Sequence, residues 1–173
     1  MRLAGVGLLA GWACAPGAPA PPPGSSSAPA VDAAMEQRAD TLRGTVRETG
    51  SEPATLFVLQ TPFGATVRLE GERPLLRRVA GLEVMLRGVG GAAAGSPFGV
   101  REVNVRASNG VPAVDGVLDR RNGGYVLVTR DGRALPVAHL PDALRGMIGG
   151  RIWLAGPLDQ PPVSFGVLAE PIT

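Results

Sequence analysis

The chain has 173 residues, enough for one ordinary domain or two very small ones. Hydrophobic residues make up 45%, as in a globular protein, while 25 Gly and 17 Pro favour turns over long helices. The formal net charge is only +2 and aromatic content only 4%, and the cationic side chains, all Arg, alternate with Asp and Glu; that distribution speaks against a nucleic-acid surface, which needs concentrated cations.

Met1-Arg2 and the small-residue apolar run over 3–13 reach about half the length that spans a bilayer, so residues 1–13 are expected to be a signal peptide rather than a membrane helix. Gly11-Trp12-Ala13 places small residues at the third and first positions before Cys14, the sole cysteine. This stretch resembles the lipobox of bacterial lipoproteins, although Gly11 stands where that family usually has Leu and bulky Trp12 follows it. The resemblance implies lipidation of Cys14, which then becomes the mature N-terminus and anchors the chain to a membrane of the cell envelope. The alternative is ordinary cleavage after Ala13 or after Ala18-Pro19-Ala20, giving a periplasmic or secreted protein. Cys14 has no partner for an intrachain disulfide. The Pro/Ala/Ser-rich stretch that follows cannot bury apolar area, so residues 14–41 are expected to be a lipidated N-terminus and disordered linker.

The rest of the chain contains a duplication. "LFVLQTPFGATVRLEGERPLLRRVAGLEVMLRG" (56–88) aligns without a gap with "GYVLVTRDGRALPVAHLPDALRGMIGGRIWLAG" (124–156). Thr61/Thr129, Gly64/Gly132, Leu76/Leu144, Gly81/Gly149 and Gly88/Gly156 keep one register, and "GTV" at 44–46 pairs with "GVL" at 116–118. Each copy opens with a strand (42–48; 114–120), a turn at Gly50 or Asn122-Gly123, and a second strand (55–61; 124–129). Phe63-Gly64 and Asp131-Gly132 have the composition of tight hairpin turns. In the third strand Val67 and Leu69 alternate with Thr66, Arg68 and Glu70, the period of a half-buried strand.

A short helix is expected next in both copies. Leu140, Leu144, Met147 and Ile148 form one apolar stripe, with Pro141 in the first turn and Gly149, like Gly81, at the C-terminal cap. Fourth strands follow at 82–88 and 151–155, then a glycine-rich hairpin over 90–99 in the first copy, and fifth strands from Phe98 and Phe165. "ASNGVPA" (107–113) is expected to be the joint between the copies.

Three strands, a helix and two more strands is the element order of the OB-fold, a five-stranded Greek-key barrel. An SH3-like barrel or a single β-sandwich would show much the same alternation; the helix between the third and fourth strands favours the OB order. The chain thus resembles the OB-like domains of exported bacterial proteins. The resemblance implies an all-β fold with short helices: two tandem small five-stranded OB-like barrels, over 42–108 and 109–173, after a disordered Pro/Ala/Ser tether. Units of about 60 residues have marginal cores, so they are expected to pack together or share strands.

Catalytic signals are absent from the sequence. His139 is the sole histidine, no Ser sits in a nucleophile-elbow context, and the 90–99 stretch lacks the Lys and Thr of a phosphate loop. His139 is expected to be structural or exposed, and Glu70 and Glu72, flanked by Arg68 and Arg73, a solvated edge rather than a metal site. No enzyme activity, metal or cofactor is expected. What remain for ligand binding are Phe57 and Tyr125, which share a slot on the second strand, Trp153, which shares Met85's slot on the fourth, and Arg68. The face of Phe57 and Tyr125 would serve equally as core, and Trp153 is either exposed or buried between the units. The expectation is a non-catalytic envelope module, anchored through Cys14, that binds another envelope protein or a cell-wall component. An oligonucleotide-binding OB protein is the alternative.

Overall fold

The computed structural model describes residues 40–51, 54–91 and 95–172; Cys14, the signal peptide and nearly all of the expected linker lie outside the described residues. The first half contains β1 (Asp40–Thr49), β2 (Leu56–Gln60), β3 (Thr66–Glu70), α1 (Arg73–Arg78), β4 (Leu82–Gly90) and β5 (Phe98–Ser108). The second contains β6 (Val111–Arg121), β7 (Gly124–Val128), β8 (Ala134–Val137), β9 (Arg151–Ala155) and β10 (Ser164–Ala169). The all-β class is as expected. The linker ends slightly earlier than expected, since Asp40 and Thr41 already pair with β4.

In the first half the pairings close on themselves. β1 lies between β2 and β4, β2 pairs with β3, β4 pairs with β5, and a short parallel match of Leu69 and Glu70 with Phe98 and Gly99 joins β3 to β5. The second half repeats the antiparallel pairs: β6 lies between β7 and β9, β7 pairs with β8, and β9 with β10. No ladder joins β8 to β10; instead the Ala138 N–H donates to the Leu158 carbonyl at 2.9 Å, from the loop that precedes β10. All ten strands belong to one hydrogen-bonded sheet rather than to two separate ones.

The duplication reaches individual atoms. The Thr61 N–H bonds to Ala65 O and Gly64 N–H to Thr61 O; Thr129 N–H bonds to Arg133 O and Gly132 N–H to Thr129 O. After the helical segment, Gly81 N–H reaches Val46 O and Gly149 N–H reaches Leu118 O, each at 2.8 Å. Both glycines have φ near +84° (φ 85 and 83), where a side chain would be strained. Gly44 and Gly116 let β1 and β6 cross close to their neighbours: a Cβ would lie 2.3 Å from Gln60 O and 2.5 Å from Val128 O.

Two expectations fail in the second half. The helix predicted from the Leu140, Leu144, Met147 and Ile148 stripe is a single 3-10 turn over Asp142–Leu144. Where α1 has Arg78, this copy has Gly146, whose backbone freedom opposes helix, so the chain leaves the turn early and Ile148 faces solvent. The expected joint over 107–113 is a hairpin: Ala107 pairs with Pro112 and Ser108 with Val111, and Asn109 (φ 47) and Gly110 (φ 78) supply the two left-handed residues of a tight turn. The expected boundary between residues 108 and 109 falls inside that hairpin.

Beyond the hairpin β5 and β6 part, and alternate residues of β6 and β9 then serve two cores. Leu118, Ile152 and Leu154 pack with Leu127, Leu140 and Leu144. Ala113, Trp153 and Ala155 face the other way and join the first-half cluster of Val103, Val105 and Leu76. Gly166 makes room for Trp153, since a Cβ there would lie 2.7 Å from the indole nitrogen. At this junction the edge of β5 no longer meets backbone. Asp115 Oδ1 accepts the Val105 N–H at 2.9 Å, and Arg151, bound to Asp115 through Nε at 2.9 Å and also through Nη2, donates to the Val103 carbonyl. Arg78 Nη1 extends the junction to Leu168 O at 3.0 Å, and Ser164 bonds to Ser108.

Thermal unfolding followed by circular dichroism tests the matched close approaches. Gly44→Ala and Gly116→Ala are each expected to cost about 1–3 kcal/mol through overpacking against a carbonyl. Gly146→Ala, with nothing within 4 Å of the new methyl, is expected to be neutral or to stabilise by up to about 1 kcal/mol.

Candidate binding cleft

The parting of β5 from β6 opens a cleft of about 600 Å³. Its floor is the outer face of β4 and β5, because residues that alternate with the buried Val84, Leu86, Val103 and Val105 must point outward. Met85 and Asn104 are cross-strand partners there, as are Arg87 and Glu102, and Arg106 lies further along β5. The opposite wall comes from the second half: Pro112, Asp115 and the β7–β8 turn with Thr129, Arg130, Asp131 and Arg133, backed by Leu135.

The cleft is built for charged hydrogen bonding. Glu102 lies between two guanidinium groups, with Arg130 in close contact across the cleft and Arg87 at 3.9 Å on its own floor. Arg133 Nε pairs with Asp131 at 2.8 Å. Asp115 is already committed to Arg151. Arg106 is exposed and has no carboxylate partner among the described residues, so the unneutralised charge of the cleft is positive. The hydrogen bond from the Thr129 hydroxyl to Asp131 holds that carboxyl below its ordinary pKa, and the Arg133 charge acts in the same direction. Asp131 therefore stays ionised to a lower pH than an ordinary carboxylate.

The four side chains singled out from sequence do not come together. Phe57 is buried opposite Leu69 in the first core. Arg68 is exposed, 3.8 Å from Glu70; it borders a separate cavity of about 490 Å³ with Arg73 and the edge of Phe57. Tyr125 is half-buried with the Arg120 guanidinium 5.8 Å from its ring centre, and borders a third cavity with His139, Arg145 and Pro161. Trp153 is buried between the halves. His139 is exposed beside the 3-10 turn, and Glu70 and Glu72 are exposed as well. Among the described residues no three His, Cys, Asp or Glu side chains cluster as a metal site would require, and no helix is long and apolar enough to cross a membrane.

Arg106, Arg130 and Glu102 were not singled out from sequence. The alternation of Glu102, Asn104 and Arg106 with Val103 and Val105 marks an outward polar row, but what faces that row depends on how the second half folds back.

Carboxyl-detected NMR titration tests the turn. Thr129→Val is expected to raise the Asp131 pKa towards the ordinary carboxylate value, and the Asp119 carboxyl, lowered chiefly by its bond from Arg121, is expected to be unmoved. Comparison of the chain with known protein families, with curated proteins and with solved structures gave no match.

Proposed function

We propose that this protein is an exported, lipid-anchored interaction module, non-catalytic, in which two OB-like units present a cleft to another protein of the cell envelope. The OB reading is supported by the closed circuit β1-β2-β3-β5-β4, with its helix between the third and fourth strands, and by its near-repetition in the second half. The lipid anchor rests on Cys14 and the residues before it. The observation that carries the binding reading is the cleft, where Arg106 has no acidic partner among the described residues and Arg87 and Arg130 converge on a single carboxylate. Guanidinium groups, an amide and a thioether on a firm β floor suit recognition by hydrogen bonds and charge.

A polypeptide partner is favoured over a nucleic acid because the cleft arginines alternate with carboxylates, which repel phosphate. Incorporating a photo-crosslinking residue at Arg106 in cells is expected to give a discrete protein adduct, with none from Phe63 at the exposed tip of the β2–β3 turn. Equal yields at both positions, or none, would count against the cleft. Steeply salt-dependent binding of a single-stranded oligonucleotide to the purified chain would replace the reading with the oligonucleotide one. For the anchor, a labelled fatty-acid precursor is expected to mark the natural chain but not Cys14→Ser; label that persists in the variant overturns lipidation at that residue.

A further inference from the structure

The interface between the halves has a counterpart on the open surface. Asp115 and Arg151 stand on the first and fourth strands of the second half, one step either side of the Gly116–Ile152 pair. Gly44–Val84 is the matching pair in the first half, and Arg43 and Glu83 stand one step either side of it. They too form an ion pair: Arg43 Nε donates to Glu83 Oε1 at 2.8 Å, and Nη2 lies 2.6 Å from the same oxygen. The places are the same and the signs are exchanged, with cation and anion on opposite strands.

In the second half this pair grips a strand. Asp115 accepts an amide from β5 and Arg151 donates to a carbonyl two residues earlier, while Trp153 supplies the apolar cover. In the first half nothing among the described residues docks on the equivalent face. The Arg43 side chain is 63% exposed and that of Glu83 32%, and half-buried Met85 takes the place of Trp153. A cavity of about 480 Å³ bordered by Thr45, Gln60 and Pro62 lies on one side of the pair, and Met85 leads into the cleft on the other.

We propose that the Arg43–Glu83 face binds an extended backbone segment of a partner polypeptide. Arg43 donates to a carbonyl, Glu83 accepts an amide two residues further along, and a partner side chain rests on Met85. This deepens the binding reading above and rests on it, naming an extended strand as what is bound. The exchange of signs preserves the carbonyl-then-amide order of Val103 and Val105 only for a segment that runs opposite to β5. It also separates a peptide from a polyanion, which Glu83 would repel while Arg87 and Arg106 attracted it.

A synthetic peptide of residues 101–108, the segment that the equivalent pair already holds, is a suitable probe. Titrated into the isotope-labelled full chain, it is expected to shift the NMR amide signals of Thr45, Glu83 and Met85. N-methylation of the second valine of the probe, or Glu83→Gln in the protein, is expected to weaken binding about tenfold, because the first removes one of the two backbone contacts and the second takes the charge from its acceptor. An unaltered spectrum away from the face shows that Glu83→Gln, at a half-buried site, leaves the fold intact. Shifts confined to Arg106 and Arg130, indifferent to N-methylation, would overturn this proposal and leave the cleft as the binding site. No shift with the peptide, together with shifts at Arg87 and Arg106 from a heparin fragment, would overturn both in favour of a polyanion. No response at millimolar peptide would overturn the strand proposal alone, since the crosslinking at Arg106 stands independently.

Discussion

The half-buried contact between Asp115 and Arg151 holds together what the chain's topology would otherwise leave open. Two strands that begin as a hairpin cannot curve round two different cores without separating, and their separation strips the β5 edge of backbone partners. An unpaired buried N–H or C=O costs about 1–3 kcal/mol. One carboxylate and one guanidinium satisfy the Val105 amide and the Val103 carbonyl while neutralising each other. A pair held largely away from water adds little net stability over an apolar substitute, but loss of one member is expensive. Its contribution is therefore geometric: it fixes where the second half sits on the first, and so fixes the width of the cleft beside it.

Everything else at the junction follows from having one face of β6 and β9 turned towards each core. β9 is buried almost throughout, with Ile152 and Leu154 serving one cluster and Trp153 and Ala155 the other. A small half with a marginal core thereby borrows apolar area from its neighbour. Arg78, at the end of α1, binds the Leu168 carbonyl on the last strand and ties the far side of the junction in the same way, with a side chain in place of a ladder. The first half closes its strand circuit and the second does not, because its third and fifth strands stand apart and the loop carrying Leu158 takes the vacant hydrogen bond.

Much of this was legible in the residues. Glycines in register at 64/132 and 81/149 announced positive-φ turns that both halves contain, and Asn122-Gly123 announced the β6–β7 hairpin. The period-2 pattern of β3 and the order of the elements were equally plain. The Asn109-Gly110 turn carried the same signal as Asn122-Gly123, yet its place between the copies suggested a joint rather than a hairpin. The second helix failed on one residue, Gly146, which the apolar stripe around it outweighed on paper but not in the chain. The ligand candidates fared differently for a general reason: aromatics on small β-units are the largest pieces of core available, and Phe57 and Trp153 are used as such. The cleft involves residues far apart in sequence, and only the fold-back at the Asp115–Arg151 contact brings Arg130 to Glu102.

The most direct measurement is amide hydrogen exchange on the full chain with Asp115→Ala. If the contact couples the halves, the Val105 amide and those of β9 lose protection, and the second half opens at a lower free energy than the first, by about 3–5 kcal/mol relative to the natural chain. Unchanged protection at Val105 and β9, with both halves still opening together, would contradict the account.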